Sequence, residues 1–145
     1  MNQQQEIQIL MAEDSPGDAR LTMEAFKEWK IKNKIHLVGD GEEALSFLYK
    51  RDQYTGAPRP DMILLDLNMP KKDGREVLAT IKEDENLKRI PVIILTTSKE
   101  EEDVFMTYNL HANSFITKPI GFDHFVEIIK GLENYWFYLV KLPRN

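Results

Sequence analysis

The chain has 145 residues, the size of one domain, and a net charge of −5, which disfavours non-specific binding to nucleic acid or to an anionic membrane surface. It contains no cysteine, so disulfides, thiol catalysis and thiolate metal sites are excluded. The amino terminus, Met1 to Glu6, is polar and lacks the apolar region of a signal peptide, and no apolar run approaches a membrane span; a soluble, cytoplasmic protein is expected.

Short apolar runs and amphipathic stretches alternate along the chain. Ile7–Ala12 reads as the first strand. Ser15 then caps a helix, with Pro16 at its first position and Asp18 in its first turn. Its buried face is expected to hold Ala19, Met23, Phe26 and Trp29 or their neighbours. Ile35–Val38 is a short second strand, and Asp40-Gly41 opens a helix carrying Ala44, Leu45 and Leu48. Gln53 to Pro60 is a polar loop. Met62–Asp66 is a third strand, whose unbroken apolar run predicts burial on both faces.

A helix with Val77, Leu78 and Ile81 on its apolar face follows, then a fourth strand over Pro91–Thr96. Ser98-Lys99-Glu100-Glu101 forms a capping box for another helix. Ser114–Thr117 is a short fifth strand ending at Lys118-Pro119, and Gly121 to about Val140 is the last helix. Five βα units in alternation predict an α/β fold, a (βα)5 doubly wound, parallel five-stranded sheet; right-handed crossovers restrict the topologies, and the flavodoxin-like order 2-1-3-4-5 is the favoured one. One domain is expected over 1–145, with residues 1–5 a polar tail and 141–145 a C-terminal extension.

All carboxyl ends of a parallel sheet lie on one rim. Strand one ends in Glu13-Asp14, strand three in Asp66, strand four in Thr96 and strand five in Lys118. Taken singly, Asp14 reads as a turn or helix-capping residue, Glu13 as a solvated one, and Asp66 as a cap for the turn before Pro70. Lys118 alone reads as a surface lysine and Thr96 as an ordinary strand residue. Together they suggest a reaction centre. Three crowded carboxylates repel, and a divalent cation relieves that repulsion. Oxygen-only ligands suit Mg²⁺. With the site neutralised, Asp66 can attack a phosphoryl group and form an acyl phosphate. Lys118 and Thr96 would then serve other phosphoryl oxygens.

With these residues in place, the chain resembles the receiver domains of two-component response regulators over essentially its whole length. The matching pieces are Glu13-Asp14, the run Asp66-Leu67-Asn68-Met69-Pro70-Lys71-Lys72-Asp73-Gly74, Thr96 five residues after Pro91, and Phe115 three residues before Lys118-Pro119. The resemblance implies that Asp66 accepts a phosphoryl group from a histidine kinase. It implies Mg²⁺ bound by the side chains of Asp14 and Asp66, by Glu13 through water, and by the backbone carbonyl of Asn68. It makes Lys118 the family's lysine, Thr96 the switch hydroxyl and Phe115 the switch aromatic, and it implies a cis Lys118-Pro119 bond. The implied output is a phosphorylation-dependent change in contacts with a downstream protein, so the chain is expected to be a signalling protein rather than an enzyme.

A narrower similarity runs through Pro70 to Leu78, Arg89-Ile90-Pro91, Leu95 to Ser98, Trp136 and Leu142-Pro143, to the stand-alone regulators paired with bacterial phytochrome kinases. Thr97 stands where most receivers carry alanine beside the switch hydroxyl, which bears on access to the phosphoryl group. Two other readings stay open at this point. An aspartate-nucleophile phosphatase would share Asp66, Thr96, Lys118 and Mg²⁺, but it would need an aspartate in place of Asn68. A receiver-like binding module would carry the fold without phosphorylation.

His36, His111 and His124 are expected at surface or satisfied polar positions, and Lys71-Lys72 as a solvated pair beside the site. The last helix shows one apolar face with Phe122, Phe125, Val126, Ile129, Leu132, Trp136 and Val140. Beside it runs a second stripe of Ile128, Tyr135, Leu139 and Leu142. That width fits either a broad buried face or an interface, with Ile128, Tyr135, Trp136 and Leu139 as candidate contacts in a homodimer.

Overall fold

The computed structural model describes residues 6–27, 32–67, 69, 71, 73–96, 114–117, 123 and 127, without the side chains of Thr96 and of 114–117. Five strands form one sheet: β1 (Ile7–Ala12), β2 (Asn33–Val38), β3 (Met62–Asp66), β4 (Val92–Thr96) and β5 (Ser114–Thr117). Every pairing is parallel, as the βα alternation predicts, and the order is β2-β1-β3-β4-β5, the favoured one of the topologies it allows. Three helices are described in full: α1 (Pro16–Lys27), α2 (Gly41–Leu48) and α3 (Gly74–Glu83). Asp123 and Glu127, within the expected last helix, are helical and exposed.

Side-chain alternation along each strand divides the core into two layers. Leu10, Ala12, Ile63, Leu65, Val92 and Ile94 pack with Ala44 and Leu48 of α2 and with Val77, Leu78 and Ile81 of α3. Ile7, Ile9, Met11, Met62, Leu64, Ile93 and Leu95 pack on the other face with Ala19 and Phe26 of α1. All five residues of β3 are buried, the outcome expected for a central strand covered on both sides. β2, on the edge, is mostly half-exposed.

Each of these three helices starts on a cap that the sequence supplies. The Asp18 N–H donates to Ser15 Oγ at 3.3 Å. The Glu43 N–H donates to Asp40 Oδ1 at 2.8 Å, and the Glu76 N–H to Asp73 Oδ1 at 3.1 Å. Such caps satisfy amide groups that the first helical turn leaves without partners.

Several expected boundaries shift. β2 begins at Asn33 rather than Ile35, because the Asn33 side-chain amide is anchored on the Phe26 carbonyl at 3.2 Å and the polar start of the strand pairs with Ile7 and Gln8. β4 begins at Val92 rather than Pro91. Proline has no N–H for the ladder, although its carbonyl still accepts from the Ile63 N–H at 2.9 Å. On α1 Thr22 is buried and Met23 only partly so; the Thr22 hydroxyl donates to the Asp18 carbonyl at 3.0 Å, which makes its burial tolerable. Phe47 joins the buried face of α2. A 3-10 turn over Asp52–Tyr54 overlaps the start of the expected polar loop, and the Tyr54 hydroxyl donates to Glu43 Oε1 at 2.6 Å.

Candidate phosphoryl-transfer site

The sheet register brings the acidic residues together. Ala12 pairs with Leu65, so the next residues, Glu13 and Asp66, come level at the carboxyl rim. Asp66 pairs in turn with Leu95, which leaves Thr96 one step further along the neighbouring strand, and Thr96 pairs with Thr117 at the end of β5. One carboxylate oxygen each from Glu13, Asp14 and Asp66 lies within 4.8 Å of the others.

The three carboxylates differ in setting. Glu13 and Asp66 are each only 3% exposed, whereas Asp14 is exposed. Glu13 is therefore not the solvated residue that it suggests when taken alone. Its Oε2 accepts the Ser15 N–H at 3.1 Å, and its own N–H donates to the Val38 carbonyl at 3.0 Å, so the end of β1 is tied to α1 and to β2. A cluster of two buried acids and one open to solvent, all oxygen donors, fits a hard divalent cation that keeps part of its water shell. The same crowding without a cation carries mutual repulsion.

Backbone bonds fix Leu67 and Gly74, on either side of the residues that follow Asp66. The Gly74 N–H donates to the Leu67 carbonyl at 3.0 Å, and the Leu67 N–H reaches the Leu95 carbonyl at 3.4 Å. A Cβ on Gly74 would lie 2.4 Å from the Asp66 carbonyl oxygen and 2.8 Å from the Leu67 Cα. Gly74 is thus required by close backbone approach beneath the acidic residue. Asp-Gly in the sequence signals a turn, but that contact depends on a fold that brings α3 back under β3. The fold also pairs two residues that the sequence does not connect: Lys71 Nζ stands 3.7 Å from Asp40 Oδ2.

Of the residues expected at the site, Glu13, Asp14 and Asp66 meet, and Thr96 ends β4 beside Asp66's strand. Phe115 occupies β5, opposite Ile94 in the register. Asn68, Lys118 and Pro119 lie outside the described residues, as do Ile128, Tyr135, Trp136 and Leu139 of the last helix and both His111 and His124. His36 is half-buried and bonded through Nε2 to Gln8 Oε1 at 2.6 Å, a satisfied polar position as expected.

Comparison with known proteins gives this geometry a family. The response regulator receiver domain matches residues 9–130. Response regulator Rcp1 of Synechocystis sp. is 47% identical over 93% of this chain and 92% of its own length. The Mn²⁺-bound form of Rcp1 aligns with a TM-score of 0.75 at 46% identity, covering 95% of this chain and 99% of that one. The phosphorylated cyanobacterial phytochrome response regulator RcpA aligns with a TM-score of 0.77 at 46% identity, covering 97% and 100%.

The parallel sheet and its acidic rim are those of a two-component signalling protein. The chain belongs to the response regulator receiver domain family. Membership makes it a signalling protein and makes a histidine kinase its class of partner. Among the described residues, no helix is long and apolar enough to cross a membrane.

Proposed function

We propose that this protein works as one cytoplasmic receiver over 1–145, that Asp66 is its phosphoacceptor, and that Mg²⁺ is its cofactor. The observation that carries the reading is the convergence of Glu13, Asp14 and Asp66 within 4.8 Å at the carboxyl rim. The phosphorylated form of RcpA and the Mn²⁺-bound form of Rcp1 support it from the side of relatives. An oxygen of the Asp66 carboxylate attacks the phosphorus of a phosphohistidine. The P–N bond breaks, the imidazole leaves with the electron pair, and an aspartyl phosphate remains.

Asp14, Asp66 and the Asn68 carbonyl are the proposed direct ligands of the metal, with Glu13 acting through water. Bound Mg²⁺ supplies positive charge for the crowded oxygens of the carboxylates and the incoming phosphoryl group. Burial of Asp66 between β1 and β4 holds its carboxylate in place, and the exposed Asp14 leaves one side open for a phosphodonor. Lys118 and Thr96 are the proposed partners of the other phosphoryl oxygens. Thr96 and Phe115 together are the proposed switch that carries the change to the surface.

The proposed kinase is of phytochrome type, a reading supported by the likeness to RcpA. The proposed output is altered contact with a downstream protein or with a second copy, through the last helix at Ile128, Tyr135, Trp136 and Leu139. The test is phosphorylation by a small phosphodonor with Mg²⁺, followed by intact-protein mass spectrometry. The parent protein gains one phosphoryl group and Asp66→Asn gains none. Equal labelling of the two proteins would remove Asp66 from its role.

A further inference from the structure

The segment from the end of β2 to the start of α2 contacts Glu13 of the acidic cluster and also Lys71, which follows Asp66 in the chain. The Val38 carbonyl, at the end of β2, accepts the N–H of Glu13 at 3.0 Å. Two residues on, Asp40 divides its carboxylate: Oδ1 accepts the Glu43 N–H at 2.8 Å and caps α2, while Oδ2 faces Lys71 Nζ at 3.7 Å. The Asp40 side chain is only 12% exposed, against 62% for Lys71. Lys71 therefore reaches from the solvent side onto a fixed, mostly buried carboxylate.

Lys71 adopts φ = 66°, left-handed backbone that an L-residue with a Cβ disfavours. It sits in the loop that leads from Asp66 to α3. Met69, two residues before it, is buried in the α2/α3 layer of the core, and Gly74, three residues after it, is locked under Asp66. The Lys71 side chain is largely solvent-exposed, yet its ammonium faces the carboxylate that caps α2, and its backbone holds a left-handed conformation.

We infer that Lys71 and Asp40 form a positioning pair that braces the loop after Asp66 against the β2–α2 turn, so that the spacing of Glu13, Asp14 and Asp66 suits a divalent cation. The inference rests on the reading of those three acids as the metal site. Neither Lys71 nor Asp40 touches the phosphoryl group; each acts through the loop and the turn.

Through-space electrostatics makes the opposite prediction at Lys71, which gives the test its edge. Removing a cation beside an acidic cluster should by charge alone tighten Mg²⁺ binding. The brace predicts the reverse. The experiment is Mg²⁺ titration by calorimetry of the folded full chain, with beryllofluoride binding as a second readout. Lys71→Gly keeps the left-handed backbone accessible and removes the ammonium. Asp40→Asn keeps the cap and removes the charge. Lys71→Arg keeps the charge.

Lys71→Gly and Asp40→Asn should each weaken Mg²⁺ binding about three- to tenfold, the double variant should be no weaker than the worse single one, and Lys71→Arg should stay within about twofold of the parent. Unchanged or tighter binding in Lys71→Gly would overturn the brace, as would fully additive losses in the double variant. A parent protein that binds neither Mg²⁺ nor beryllofluoride would instead overturn the metal-site reading itself.

Discussion

Gly74 lies so close beneath Asp66 that a single methyl group cannot be placed between them: a Cβ on Gly74 would stand 2.4 Å from the Asp66 carbonyl oxygen. The contact joins the start of α3 to the strand end that carries the buried carboxylate. Backbone, rather than a movable side chain, lies on the far side, so relief of a clash there must shift α3 or the strand end that carries the acid.

Gly74→Ala should therefore destabilise the protein by about 1–3 kcal/mol, the usual range for overpacking a tight contact. It should also lower Mg²⁺ affinity, because relief of the clash moves Asp66. Urea unfolding with and without Mg²⁺ measures both. A variant as stable as the parent would mean that α3 can pivot away freely.

Asp14→Asn should act in opposite directions with and without metal. Without Mg²⁺, removal of one of three mutually repelling carboxylates should raise stability by about 1 kcal/mol, since Asp14 faces water and its repulsion is screened. With Mg²⁺ in excess, the parent should gain roughly 2–3 kcal/mol at a hundredfold excess over its Kd, and the variant much less. Thermal melts across a Mg²⁺ series should show the two curves crossing.

His36 supplies a pH dependence away from the reaction centre. Burial lowers its pKa from the usual 6.5, the nearby Lys34 lowers it further, and Glu6 opposes the shift. A depressed folded-state pKa means that the unfolded chain binds the proton more readily. The stability from the neutral ring is thus present above about 6.5 and is lost as pH falls through the folded value. Stability should decline between pH 7 and 5, and the slope should be shallower in His36→Gln. Identical slopes would assign the acid sensitivity to carboxylates elsewhere.

Much of this arrangement is written in local patterns. Met62–Asp66 reads as a buried strand because no polar residue interrupts it before the acid. The caps Ser15 and Asp40 are recognisable from residue type and place alone. The parallel sheet follows from βα alternation, and its favoured strand order brings Glu13, Asp14 and Asp66 to one rim. What escaped local reading depends on contacts between distant segments. Lys71 is exposed, as its sequence neighbourhood suggests, but its pairing with Asp40 of another turn is visible only in the fold. Gly74 looks like a turn residue until α3 is seen packed under β3. Thr22 and Phe47 are buried because of what their helices dock against, and that partner surface is not encoded within either helix.

The central claim, that Asp66 carries the phosphoryl group, is tested most directly by locating the modified residue. The protein is phosphorylated by a small phosphodonor with Mg²⁺, reduced with borohydride, which converts an aspartyl phosphate to homoserine, and mapped by peptide mass spectrometry. The account predicts homoserine at position 66 alone, and none when Mg²⁺ is removed by chelation. Reduction at another acidic residue, or unmodified Asp66 in a protein that has taken up phosphate, would contradict it.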